Sequence, residues 1–146
     1  MGEFFNSRTM TAGELLRLPS PVLLCSDRID FSKAIVDAGY QTISLNLPMA
    51  ASLAGLPERE IIATITEKIR VLFPQSLPVY MTDYEMLFDP RYELDVIRLF
   101  VDLSRRNKLI IKWCGTVDGD VLTYAEHGFV DYKRYKVNDY DVVIVK

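Results

Sequence analysis

Short apolar segments alternate with segments of helical periodicity along most of this chain, and that alternation constrains the fold more than any other feature. The first apolar segment, residues 22–25, is a run of hydrophobic residues without polar interruption, which is typical of a strand buried on both faces. Strands separated by helices predict a three-layer α/β fold, with helices on both sides of a mainly parallel central sheet. The four predicted strands cover residues 22–25, 42–45, 77–82 and 109–113.

Capping residues and prolines mark the helix boundaries between those strands. Thr11 stands three residues before Glu14, which is the spacing of a capping box and predicts a short helix there. Beyond Gly119 the helical signals fade, so the C-terminal part should be rich in β-structure. Helices are predicted over residues 11–18, 31–38 and 57–73, with a fourth that Asp89 caps and Pro90 begins, and C-terminal strands over residues 121–124, 132–137 and 142–145.

Length and charge exclude several classes of protein. With 146 residues and no linker or repeat, the chain is expected to form one domain over residues 1–146. Its apolar runs are far shorter than the ~20 residues that span a bilayer, so we expect a cytoplasmic protein without membrane contact. A net charge of −3 offers no general attraction for DNA, so such contact should be indirect or weak. Cys25 and Cys114 end apolar runs and are expected to be reduced thiols.

An acidic strand end is the first candidate for chemistry. The segment LPVYMTDYE (77–85) is an apolar strand that ends in Asp83, with Glu85 two residues later. Ligands of parallel sheets bind beyond the carboxyl ends of the strands. In P-loop nucleotide-binding proteins such a strand carries a magnesium ligand and a carboxylate that polarises water, here Asp83 and Glu85. The plainer interpretation is a turn residue followed by a solvated glutamate, because many buried strands end in an acid.

The phosphate-binding loop of such a protein should follow the first strand, but its motif is lost. The segment CSDRIDFSKAI (25–35) stands in its place. Side chains there resist the positive φ angles that let a loop wrap phosphate, and Asp27 and Asp30 would repel a triphosphate. We therefore expect no cofactor, with ATP and Mg²⁺ as the alternative. When residues 26–33 are aligned with the motif G-x-x-x-x-G-K-[ST], Ser26 and Phe31 stand at the two glycine positions. Ser32 stands at the lysine position, and Lys33 stands at the final Ser/Thr position.

A family resemblance covers residues 83–135. The matching strings are E-x-L-F-D-P at 85–90, L-S-R at 103–105, W-x-G at 113–115 and L-T-Y-A-E at 122–126. In this order they resemble BrxF, the small P-loop-type protein of type III BREX phage-exclusion systems. The resemblance implies a P-loop-NTPase-like fold, a role in anti-phage defence and other phage-defence proteins as partners. It carries over Asp83 and Glu85 as acidic-motif positions, but not nucleotide binding at 26–33, where this chain departs from the family.

Basic and aromatic residues supply further candidates for interaction. Arg105 and Arg106 end a helix, where they complement its dipole, or else reach the anionic site of an adjoining subunit in a homo-oligomer. In YKRYK (132–136), Lys133 and Arg134 either protect an edge strand or, with the tyrosines, contact single-stranded nucleic acid.

Three further residues were weighed for roles near the predicted strand ends. Trp113 is expected in the core or at an interface, and Thr116 could act as a polar sensor. His127 has no second histidine or cysteine at metal-ligand spacing, so we expect an ordinary turn residue.

These observations favour an accessory, non-catalytic subunit of an anti-phage defence complex that acts through protein–protein contacts. The alternative is an atypical NTPase that uses Lys33 for phosphate, Asp83 for magnesium and Glu85 as the base. A third hypothesis is a nucleic-acid-binding module formed by residues 132–136. If the fold follows the common P-loop arrangement, the first and fourth predicted strands are neighbours, which would bring Cys25 and Cys114 to adjacent strand ends.

Overall fold

In the computed structural model, which describes residues 2–125 and 128–146, the chain forms a mixed α/β fold around a parallel sheet. Strands and helices alternate as far as the fifth strand, after which short strands dominate. In chain order the elements are β1 (Glu3–Phe5), α1 (Ala12–Leu16), β2 (Val22–Leu24), α2 (Ile29–Asp37), β3 (Gln41–Ser44), α3 (Asn46–Leu53), α4 (Glu58–Leu72), β4 (Val79–Thr82), α5 (Val96–Leu103), β5 (Leu109–Lys112), β6 (Thr116–Asp118), β7 (Val121–Tyr124), β8 (Lys133–Lys136) and β9 (Val143–Val145).

The central sheet has six strands in the order β1-β9-β2-β5-β4-β3, and every neighbouring pair is parallel. The first and fourth predicted strands, now β2 and β5, are neighbours, and Leu23 pairs with Ile111. The fold therefore brings Cys25 and Cys114 to the ends of adjacent strands, as predicted, and both are free thiols. A second, antiparallel sheet has the order β6-β7-β8, which confirms the β-rich C-terminal part.

Helices cover both faces of the central sheet because successive strand residues point to opposite sides. Leu24 and Ile110 point to the face that α1 and α2 cover. Leu23 and Ile111 point to the opposite face, where α3, α4, α5 and the small sheet pack. The predicted layered α/β organisation is therefore confirmed at this level.

Two predicted helices form for the expected reasons. Thr11 caps α1 by accepting a hydrogen bond from the Glu14 amide at 3.1 Å, while the Glu14 carboxylate accepts from the Thr11 amide at 3.4 Å. In α4 the stripe of Ile61, Ile65 and Ile69 is buried, as its spacing predicts.

The helix predicted to begin at Pro90 is wrong in its start. Pro90–Tyr92 forms a single 3-10 turn, which Asp89 caps as predicted. Glu93 then adopts a positive φ of 54°, a conformation that a helix cannot continue, and Asp95 caps the separate helix α5. The elements β1, β6 and α3 have no counterpart among the predicted ones. A single residue, Leu45, separates the end of β3 from the start of α3.

The segment around residues 126–127 separates β7 from β8. His127 and Glu126 lie outside the described residues, so the prediction for His127 and the last residue of the LTYAE match concern positions that the structure does not describe. Beyond them, Phe129 and Val130 are exposed. Over residues 2–125 and 128–146, no helix has the length and apolar character needed to cross a membrane.

Candidate functional site

A cleft opens between the carboxyl ends of β4 and β5, where a parallel sheet places its ligands. Its volume is about 480 Å³. The two acids singled out in the sequence, Asp83 and Glu85, both line it, so the fold brings the predicted acidic pair together. The remaining lining residues are Thr82, Lys112, Trp113 and Cys114.

Asp83 is held by the neighbouring edge strand β3. The Ser44 hydroxyl donates to Asp83 Oδ2 at 2.7 Å, and the Thr82 hydroxyl donates to the same oxygen at 3.3 Å. The Asp83 carbonyl accepts from the Asn46 amide at 2.7 Å. Asp83 itself has a positive φ of 49°, a left-handed conformation that aspartate tolerates better than most residues. The turn interpretation of Asp83 is thus correct in geometry, while its side chain remains exposed at the cleft.

Glu85 is oriented by Asn46, the first residue of α3. The Asn46 side-chain amide donates to Glu85 Oε2 at 2.8 Å, and its oxygen accepts from the Met86 amide at 3.2 Å. The side chains of both cleft acids are therefore positioned by residues at the junction between β3 and α3.

Tyr84, between the two acids, ties this turn to β5. Its buried hydroxyl donates to the Lys112 carbonyl at 2.7 Å and accepts from the Cys114 amide at 3.1 Å. Burial raises the pKa of Tyr84 far above its usual range. Burial also raises the pKa of the Cys114 thiol to about 11 and that of Cys25 to about 12, so neither is a thiolate nucleophile at neutral pH.

The loop in the phosphate-binding position is short, and side-chain contacts hold it in place. Only residues 25–28 connect β2 to α2. The Arg28 guanidinium donates to the carbonyls of Ser7 and Met10, the latter at 2.7 Å, and pairs with Asp30. It also lies 4.0 Å from the centre of the Phe31 ring. The loop is therefore fastened to the N-terminal segment by Arg28, a residue that sequence reasoning did not single out.

The backbone of this loop lacks the conformation that cradles phosphate. No residue from 25 to 35 has a positive φ. Phe31, which stands at a glycine position of the motif, belongs to α2, and its side chain is fully buried. Ser32 and Lys33 lie within α2, where the Ser32 hydroxyl is hydrogen-bonded to Tyr80 and Lys33 is exposed. The interval from β2 to β4 is two strand spacings, or roughly 10 Å, so the loop and the acidic cleft share an edge but remain apart.

The structure places Arg105 and Arg106 away from this cleft. They follow α5 and precede β5, at the amino edge of the sheet. Arg105 is exposed and pairs with Asp102 at 3.5 Å, which fits the plainer interpretation of helix-end cations. Arg106 lines a separate pocket with Arg70, so neither arginine reaches Asp83 in the same chain.

Trp113 belongs to the core, as predicted. Its side chain is buried, its indole N–H donates to the Thr116 carbonyl at 3.0 Å, and its ring meets Phe88 edge to face. Thr116 lies in β6, where its hydroxyl is hydrogen-bonded to Thr123. The lining of the cleft does not include Thr116, so the structure gives no support to a sensor role.

Strand β8, which contains Lys133 and Arg134, is an edge strand of the small sheet, as predicted. Tyr135 points inward and is buried near Phe88. Arg134 and Lys136 point outward. A stacking platform that uses Tyr135 is therefore closed to nucleic-acid bases, whereas the outward cations remain exposed.

Sequence reasoning missed the residues that shape both regions. Ser44 lies in the predicted strand 42–45 and Asn46 follows it, but the sequence did not predict that both contact the acids. Lys112 is the one charge inside the apolar run LIIKWC, which was a usable signal.

Comparisons with protein-family models, with curated proteins and with solved structures found no match.

Proposed function

We propose that this chain is an accessory, non-catalytic subunit of a BREX-type anti-phage defence complex, acting through protein–protein contacts. The observation that carries the proposal is the loop at 25–28, where Arg28 makes contacts inside the protein in the position of a nucleotide-binding loop. A phosphate-binding loop presents free backbone amides to its anion. Here the loop presents side chains and the negative charges of Asp27 and Asp30.

The strand arrangement supports a P-loop-like ancestry for this domain. β2 and β5, the first and fourth of the predicted strands, are neighbours, as in the common P-loop arrangement. β4, which ends in the acidic cleft, is the next strand after β5. The combination of a retained acidic edge and an altered loop fits a domain that keeps the scaffold for docking.

The proposal is tested by calorimetry and by co-purification from the native host. Titration of the purified chain with ATP and Mg²⁺ should give no binding heat at micromolar ligand, and the tagged chain should retain other defence proteins. Low-micromolar ATP affinity would contradict the non-catalytic assignment. An Asp83→Asn, Glu85→Gln double variant tests whether partner retention uses the acidic cleft, with exposed Lys33→Ala as the control. Retention that is unchanged in the double variant would exclude the cleft as the docking site.

An atypical NTPase is the second candidate, because Lys112 lines the cleft together with Asp83 and Glu85. Magnesium is commonly held by one or two carboxylates together with substrate phosphates, and Asp83 would supply one of the carboxylates. Lys33 would have to neutralise phosphate from its exposed position on α2. The candidate requires measurable turnover that Glu85→Gln abolishes without unfolding the protein, and equal turnover in that variant would reject it.

A further inference from the structure

Four strands, β1, β3, β6 and β8, end the two sheets as free edges, and these edges differ in charge. β6 contains Asp118. β8 has the sequence KRYK, and β1 begins with Glu3. β3 has the sequence QTIS, and no charged residue occurs from residue 38 to residue 57. Charged side chains on an edge strand prevent its pairing with another chain. β3 is therefore the edge that lacks this protection.

The outward backbone groups of β3 are available for pairing. The amides of Gln41 and Leu45 donate to carbonyls of the β4 segment at 2.9 and 3.0 Å. Because the direction of these groups alternates along a strand, Thr42 and Ser44 direct their N–H and C=O groups away from β4. Both residues are exposed, and the sheet continues no further on this side within the described residues.

We propose that β3 is a self-association edge, at which two copies of this chain pair their β3 strands antiparallel about a two-fold axis at Ile43. In this register Thr42 of one copy faces Ser44 of the second copy, and their outward groups form hydrogen-bonded pairs on both sides of the axis. The two Ile43 side chains meet at the axis as a closely spaced pair without hydrogen bonds between their backbones. The same patch meets itself, as a two-fold dimer requires.

The charge pattern favours a second copy as the occupant. β3 meets itself without like-charge repulsion, whereas self-pairing of β8 sets cations against cations. The edge adjoins the acidic cleft through the bond from Ser44 to Asp83, but it is independent of the proposed docking role.

Thr42→Pro tests the pairing because proline removes the outward N–H of residue 42 and leaves the β3–β4 hydrogen bonds intact. Thr42→Val is the matched control, since it keeps the N–H and a β-branched side chain. Sedimentation equilibrium should show a concentration-dependent dimer for the wild type and Thr42→Val. In Thr42→Pro the dissociation constant should rise about 30-fold, because two donors are lost per dimer.

Three results would overturn the proposal. They are a wild-type chain that stays monomeric up to ~1 mM, a Thr42→Val variant that loses the dimer, and a folded Thr42→Pro variant with unchanged affinity. If circular dichroism shows that Thr42→Pro is unfolded, Thr42→Asp replaces it. That variant keeps the backbone donor and places a carboxylate from each copy beside the axis, so it should weaken the dimer too. An unchanged dimer in Thr42→Asp would also contradict the β3 interface.

Discussion

Two regions at the same sheet edge use their polar side chains in opposite ways. At the end of β4, Asp83 and Glu85 remain at an open cleft and are oriented by Ser44 and Asn46. At the end of β2, the loop is closed by contacts of Arg28 with the N-terminal segment. The first region presents two carboxylates at an open cleft. In the second, the Arg28 guanidinium links the loop to the N-terminal segment.

The difference teaches that residues standing where a phosphate-binding loop was sought can serve the core instead. Phe31 stands in a glycine position of the phosphate-binding motif, yet it is fully buried in the core that α1 and α2 cover. The Phe31 side chain, which does not suit a phosphate-binding loop, instead packs on the buried face of α2. The cleft has no equivalent change, because its acids are hydrogen-bonded without being buried.

The largest expected effect comes from truncating Phe31 in the loop region. Phe31→Ala should lower the free energy of unfolding by about 3–5 kcal/mol, because it removes a buried ring and leaves a cavity. Urea denaturation measures this loss. Phe129→Ala is the control, since Phe129 is 61% exposed and should change stability little. A loss in Phe31→Ala no larger than in the control would show that the loop region is not core.

A smaller loss is expected in the cleft region from Tyr84→Phe. The substitution leaves the Cys114 amide and the Lys112 carbonyl without their shared hydroxyl partner, which should lower the free energy of unfolding by about 1–3 kcal/mol. Tyr40→Phe is the matched control, because the Tyr40 hydroxyl is buried without a hydrogen-bond partner among the described residues. Removing that hydroxyl should be neutral or stabilising. Equal losses in the two variants would show that the Tyr84 bridge does not hold the cleft.

The smallest effect concerns the two thiols at the adjacent strand ends. Burial holds the pKa of Cys114 at about 11, so the neutral thiol is favoured in the folded protein. Stability linked to this thiol is fully present below its unfolded pKa and is lost as the pH rises toward 11. Alkylation by iodoacetamide should be slow at pH 8 and faster after unfolding in urea. Fast alkylation of the folded protein at pH 8 would contradict the partial burial of both cysteines.

The sequence predicted most of the central sheet because its buried strands are mostly apolar, as in Val22–Leu24. It also predicted that Asp83 and Glu85 lie at one edge, because parallel strands end on the same side. The start of α5 was predicted wrongly because Asp89 and Pro90 are good helix-start residues, and the positive φ of Glu93 is not visible in its type.

Other features depend on contacts between distant segments, which local patterns do not specify. The contacts of Arg28 with Ser7 and Met10 span about twenty positions of the chain, since they join residues 21 and 18 apart. The orientation of Glu85 by Asn46 likewise joins residues 39 apart. The sequence could therefore indicate that the phosphate motif was lost, but not what had replaced its contacts.

The most direct measurement of the central claim follows the backbone amides of residues 26–31 by nuclear magnetic resonance while ATP and Mg²⁺ are added. We expect these amides to keep their positions in the spectrum, because hydrogen bonds from Arg28 to Asp30 and to the Met10 carbonyl already hold the loop. Saturable shifts of the same amides, reproduced by inorganic pyrophosphate, would show that the loop binds an anion and would contradict the account.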